Sequence, residues 1–245
     1  MIKFFRHIRQ NQIMSNNTGK YFKYAIGEII LVVIGILIAL QINNWNENRK
    51  KEVLKKSYIV NLINDLKKDT IQLNERLIRN RNTLKGLDSI SNLFEATNSI
   101  DSLYNHLINN PLTLGVRVTN TYNVNTFKIL ISSGNIDLFS NAITDKIMEL
   151  NRLQMAEIKV SEGNSQSFLT SLGQFRNEFL YVRGLDNQEL IKSITSNYDA
   201  KKYISLNYNL IVILKHTIFR YIQLTTKVKL QTEVLLSELL SSENL

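Results

Sequence analysis

Residues 25–42 read AIGEIILVVIGILIALQI, with Glu28 as the one charge and Gln41 as the one other strongly polar side chain. Eighteen residues at about 1.5 Å rise each span roughly 27 Å of helix, close to the ~30 Å hydrocarbon core of a bilayer. A buried core helix normally keeps a polar stripe, and this block has none, so the sequence predicts a transmembrane helix. Glu28 lies one turn inside the start, where its carboxylate can reach the headgroups or meet Lys20 or Lys23. An intramembrane carboxylate is also a functional candidate in its own right, but so near the end of the block Glu28 reads first as a boundary residue. Trp45 follows the exit as an interfacial aromatic, and Tyr21, Phe22 and Tyr24 flank the entry. Gly35 and Ala39 form a small-x3-small pair, with Gly27 and Leu31 on the same stripe, a pattern that permits close helix–helix contact.

The charge follows the span. The 245-residue chain has 30 Lys plus Arg against 21 Asp plus Glu, a formal net charge of +9. Residues 1–56 hold ten basic side chains against Glu28, Glu47 and Glu52, so +7 of the +9 lies there and only +2 in residues 57–245. A basic excess that brackets an apolar block marks membrane flanks, and the nearly neutral remainder offers no basic face for nucleic acid. No small-x-small cleavage site follows the block, where the exit reads LQINNWNE, so the expectation is an uncleaved signal anchor. Five Lys or Arg precede the span and five follow by residue 56, a tie that Lys23 breaks by proximity. The opening MIKFFRHIRQ places Met1, Phe4, Phe5 and Ile8 on one helical face and its cations on others, which suits an anionic inner leaflet. The expected topology is a cytoplasmic segment over residues 1–24, a span over 25–42, and a body over 43–245 outside the cytoplasm. The inverted topology, with a cytoplasmic body, is the alternative.

Residues 24–47, YAIGEIILVVIGILIALQINNWNE, together with the basic-aromatic opening, closely resemble the N-terminal signature of an uncharacterised family of single-pass bacterial membrane proteins, a domain of unknown function. Thr121-Tyr122, Leu130, Ser133-Gly134 and Asn135-Ile136-Asp137-Leu138 resemble a second, looser element of that family. The resemblance implies an inner-membrane protein with an extracytoplasmic helical domain, and it supplies no activity.

The body reads as all-α, a helical bundle of long helices. Leu54, Tyr58, Leu62, Leu66, Leu73, Leu77 and Leu84 recur at helical spacing from Asn46 to about Thr83, while Lys67, Lys68, Asp69, Glu75, Arg76 and Arg79 read as surface charges. Bundle packing of this stripe is expected over a coiled-coil stalk, because the heptads are ragged. A short helix is predicted over 100–108, ended by Asn109-Asn110-Pro111, followed by an extended stretch at 114–118. A helix over 122–132 stops at Ser133-Gly134-Asn135, with Gly134 as a left-handed cap. Further helices are expected from 141 to about 179, from 186 to 194 with Asp186 as cap, and from 201 to 240. The last holds Lys215, His216 and Arg220 too centrally to be a second span.

Candidate catalytic chemistry is sparse. The chain has no Cys, which removes thiolate metal sites and a Cys nucleophile. His106 and His216 stand apart without metal-spaced partners, Ser132-Ser133-Gly134 lacks the G-x-S-x-G frame, and Gly163 and Gly173 lack the Lys-Ser/Thr of a phosphate loop. The Tyr and Asn of 104–125 and 198–209 are read as a polar bundle surface in preference to a ligand pocket. No cofactor and no metal are expected. The leading expectation is a non-enzymatic, membrane-anchored domain that binds a partner or ligand, with homo-oligomerisation or another membrane protein engaged through the span. The alternative is a membrane-anchored enzyme with a dispersed carboxylate site among Asp137, Asp145, Glu149 and Glu157, of which Asp145 and Glu149 share a helix face.

Overall fold

The computed structural model describes residues 18–116, 121–180 and 187–243. The described residues are 88% helical, in six helices, and contain no strand, so the all-α class holds. The helices are α1 (Thr18–Ala96), α2 (Ile100–Asn109), α3 (Asn125–Ser132), α4 (Asn141–Glu178), α5 (Gln188–Thr195) and α6 (Ala200–Glu243), with a 3-10 turn at Asn135–Leu138. The chain divides into two compact units, Met1–Ser57 and Tyr58–Leu245. The amphipathic opening, the 114–118 stretch beyond Val116 and the Asp186 cap lie outside the described residues.

In the first unit the apolar block is helical, and none of its most apolar window, mean hydropathy 2.6, is buried. Its large side chains remain open, from Val33 at 47% to Leu31 at 72% exposure. A soluble core helix of this composition would be covered, so this one is long and apolar enough to cross a membrane.

The second unit is built on the C-terminal part of α1 with α4 and α6. Leu62, Leu66, Leu73 and Leu77 of the predicted stripe are buried, whereas Leu54 at its start is exposed. Helix α1 continues through Gly86 to Ala96, beyond the expected end near Thr83. A Cβ at Gly86 would meet nothing within 4 Å, and a surface glycine inside a helix costs only about 1 kcal/mol, too little to end it. Helix α2 starts on Ser99, whose hydroxyl accepts from the Ser102 amide at 3.3 Å. Gly134 has φ +70°, the left-handed conformation foreseen for the stop after α3. Asn187, next to the expected Asp186, caps α5 by accepting from the Leu190 amide at 3.0 Å.

Two apolar clusters fill this unit. One gathers Ile59, Leu62, Ile63, Leu66 and Leu73 of α1 with Leu130, Phe139, Ile147, Leu150, Val228, Leu235 and Leu239. The other gathers Leu87, α2, Phe168 and Phe175 of α4, and Tyr203 to Tyr221 of α6. The order of these residues makes α4 parallel to α1 and α6 antiparallel to both. Bonds from Lys146 to Glu238, from Thr225 to Glu157 and from Tyr221 to Ser161 carry the antiparallel register along α4 and α6.

Candidate functional site

Between the two apolar clusters lies a layer of buried polar side chains. Glu157 of α4 is 1% exposed, and each element around it sends a donor to its carboxylate. Thr225 of α6 donates to Oε1 at 2.5 Å, Arg76 of α1 donates to Oε2 through Nη1 at 3.4 Å, and the Tyr122 hydroxyl also donates to Oε2. The Arg76 guanidinium lies 4.9 Å from the centre of the Tyr122 ring, a cation–π contact that adds to the ion pair. One turn further along α4, the Tyr221 hydroxyl donates to the Ser161 carbonyl at 2.9 Å and shares a hydrogen bond with Ser165.

A second buried carboxylate, Asp69, also 1% exposed, lies two turns before Arg76 on α1. Its Oδ1 accepts from the Asn123 amide at 3.0 Å and from Asn123 Nδ2 at 2.7 Å, and its Oδ2 accepts from Gln154 Nε2 at 3.3 Å. Asp65, four residues earlier, accepts from Thr126 Oγ1 at 2.6 Å and from the Thr126 amide at 3.4 Å. Val124 at the start of α3 makes no side-chain cap, so the carboxylate of a neighbouring helix supplies the acceptor that a local cap would. Further along, Asn135 Nδ2 donates to the Tyr58 hydroxyl at 2.9 Å. Four side chains of α1 thus fasten the segment 122–135.

Burial raises the carboxyl pKa of both Glu157 and Asp69; their hydrogen bonds, with Arg76, oppose the shift without cancelling it. The folded state therefore holds a proton on these groups more readily than the unfolded chain does. Their contribution to stability is fully present below the ordinary carboxylate range and is lost as pH rises through the raised values. Lowering the pH into the ordinary carboxylate range is expected to increase resistance to urea, and Glu157→Gln to flatten that dependence. Glu149, whose carboxyl is held low by Arg152, has the opposite sign, but it is exposed and contributes little.

The structure corrects the reading of two α1 charges. Asp69 and Arg76 are not surface charges; they are buried among the leucines of the α1 stripe. Their spacing carried the signal, since 62, 66, 69, 73 and 76 form one continuous helical face. Among the dispersed carboxylates, Glu157 enters the layer, Glu149 forms a two-pronged pair with Arg152 at 2.6 Å for both bonds, and Asp137 and Asp145 are exposed. The tyrosines read as a polar surface prove to be partly core: Tyr198 and Tyr203 pack with Phe175 and Phe179 at ring-centre distances of 5.0–5.5 Å, and Tyr104 packs edge-on against Tyr203 at 5.4 Å. His106 and His216 are exposed. A cavity of about 30 Å³ beside Asp65, Asp69, Asn151 and Gln154 has room for one water, far from the volume an organic ligand requires.

Glu28, Gly35, Ala39 and Trp45, in and just beyond the apolar block, are all in α1. Glu28 is partly covered, Gly35 and Ala39 are exposed, and a Cβ at Gly35 would meet nothing within 4 Å. Trp45 is 65% exposed, with the Arg49 guanidinium 5.7 Å from its ring centre.

These features define an all-α protein with a candidate membrane helix and a body fastened by buried charge. Residues 28–144 match the model of a family of unknown function, DUF6090, in keeping with the resemblance carried by the apolar block. The matched stretch includes Glu28, Gly35, Ala39 and Trp45, and also Asp65, Asp69, Arg76 and the segment they fasten; Gln154, Glu157 and Thr225 lie beyond it. No curated protein and no solved structure matches the chain.

Proposed function

We propose that this protein is a single-pass membrane protein whose helical body binds a partner on the outer side of the cytoplasmic membrane, as a sensor or scaffold. The observation that carries this reading is the exposure of the entire apolar block, 0% buried over its most apolar window, which needs lipid around it. Lys23, two residues from the block where Arg49 is seven beyond it, favours an N-terminus on the cytoplasmic side. The carboxylates of the body support a structural role: Glu157 and Asp69 are consumed by internal donors, and the cavity beside Asp69 admits no organic substrate. Binding at the surface of the body, or through the face of Gly35 and Ala39, fits this architecture better than chemistry in its interior.

Alkaline carbonate extraction of membranes from expressing cells tests the anchor. The full chain is expected to stay with the membrane pellet, and its release into the supernatant would refute the reading.

A further inference from the structure

Directly after the apolar block, α1 carries Arg49, Lys50, Lys51, Lys55 and Lys56 against Glu47 and Glu52, a net +3 within ten residues. The whole stretch lies in the first compact unit, and residues 47–52 are exposed without exception. Arg49, Lys50 and Lys51 are consecutive, so at about 100° per residue they point three ways round the helix. Helical side chains lean toward the N-terminus, which here is the side of the apolar block. Two contacts show this lean. The Arg49 guanidinium lies 5.7 Å from the ring centre of Trp45, one turn back, and Lys50 Nζ donates to Glu47 Oε1 at 2.9 Å. Arg49 and Lys51 make no ion pair among the described residues.

We infer that Arg49, Lys50 and Lys51 form a collar that gathers anionic phospholipid headgroups round the exit of the apolar helix, a deepening that rests on the membrane-anchored reading above. The heights fit. The three cations lie seven to nine residues beyond Ile42, roughly 10–14 Å along the axis. Headgroups fill about the first 5–8 Å beyond the hydrocarbon, and long stems that lean back close the remainder. Lys55 and Lys56 lie roughly 20 Å out, more than a Debye length of about 8 Å above that layer. The three directions select the occupant. A protein docked on one side of the helix meets only part of the collar, whereas lipids surround a spanning helix completely. Nor do these cations serve as orientation signals, since basic residues on the exit side oppose the proposed topology. Phosphate oxygens accept from guanidinium and ammonium donors, and an anionic headgroup keeps a net charge that a zwitterionic one lacks. Each cation close to the surface corresponds to about a fivefold local enrichment. Glu47 already engages Lys50, so Arg49 and Lys51 carry most of the preference.

Trp45, the chain's one tryptophan, stands beside the collar and reports on it. The full chain is reconstituted in phosphatidylcholine vesicles containing equal fractions of either phosphatidylglycerol or phosphatidylcholine brominated near the headgroup end of one acyl chain. Bromine quenches tryptophan only at close range, so the far leaflet does not contribute. Brominated phosphatidylglycerol is expected to quench Trp45 at about a fivefold lower fraction than brominated phosphatidylcholine. Arg49→Gln with Lys51→Gln is expected to bring the two curves together. Lys55→Gln with Lys56→Gln, and Lys20→Gln with Lys23→Gln on the entry side, are expected to leave them apart. Each variant is compared with itself in two lipids, so loss of the Arg49–Trp45 contact cancels. Equal quenching in the native chain would overturn the collar and leave the anchor standing. So would a preference that survives Arg49→Gln with Lys51→Gln, or one that Lys55→Gln with Lys56→Gln abolishes as well. Quenching by neither lipid would fail the anchor itself.

Discussion

Ile34→Arg with Leu37→Arg is expected to abolish stable membrane insertion and to move the chain into the carbonate supernatant. The block holds twelve Leu, Ile and Val residues. At roughly −0.3 to −0.6 kcal/mol apiece on the insertion scale, their combined drive is only several kcal/mol, before the opposing terms of Glu28 and Gln41. Two central arginines oppose it by about 5–7 kcal/mol and also remove two of the twelve contributors. The balance then changes sign. Single substitutions give intermediate extraction, because tilting, snorkelling and local thinning relieve one charge more easily than two. A control with Arg at Val53, exposed and beyond the block, is expected to leave extraction unchanged.

Glu157→Leu is the second large effect, expected to destabilise the folded body by about 3–5 kcal/mol in urea titrations of the full chain in detergent. The loss comes less from the ion pair than from what the substitution strands. Arg76, 7% exposed, and Thr225, 1% exposed, both lose the carboxylate to which they donate, and the half-buried Tyr122 loses it as well. Arg76→Met in the same background removes the buried cation, and the double variant is expected to recover most of the loss, since hydrophobic replacement of a whole buried pair is commonly neutral or better. A double variant as unstable as Glu157→Leu would show that the layer acts through the Tyr122 and Thr225 hydroxyls rather than through charge.

How far the letters foretold this molecule depends on the kind of interaction. The apolar block was legible because a run of eighteen residues with one charge has few other uses. Gly134 was legible because a helix that stops at Ser-Gly-Asn needs a residue that accepts positive φ. The start of α3 was less so: Tyr122 and Asn123 were expected inside the helix and lie before it, drawn off to Glu157 and Asp69. Those are contacts across 35 and 54 residues, which no local pattern encodes. Asp69 and Arg76 were misplaced for the same reason. A charged residue on a helix is a surface residue by default, and only its partners on α4 and in the 122–126 segment make burial affordable.

The proposed function requires that the apolar helix hold the body outside the cytoplasm. Fusions of alkaline phosphatase and of a fluorescent protein that matures in the cytoplasm, each placed after Leu245 of the full chain, test it most directly. The account predicts an active phosphatase and a dark fluorescent fusion, both in the membrane fraction. An inactive phosphatase with a bright fluorescent fusion would place the body inside and contradict it.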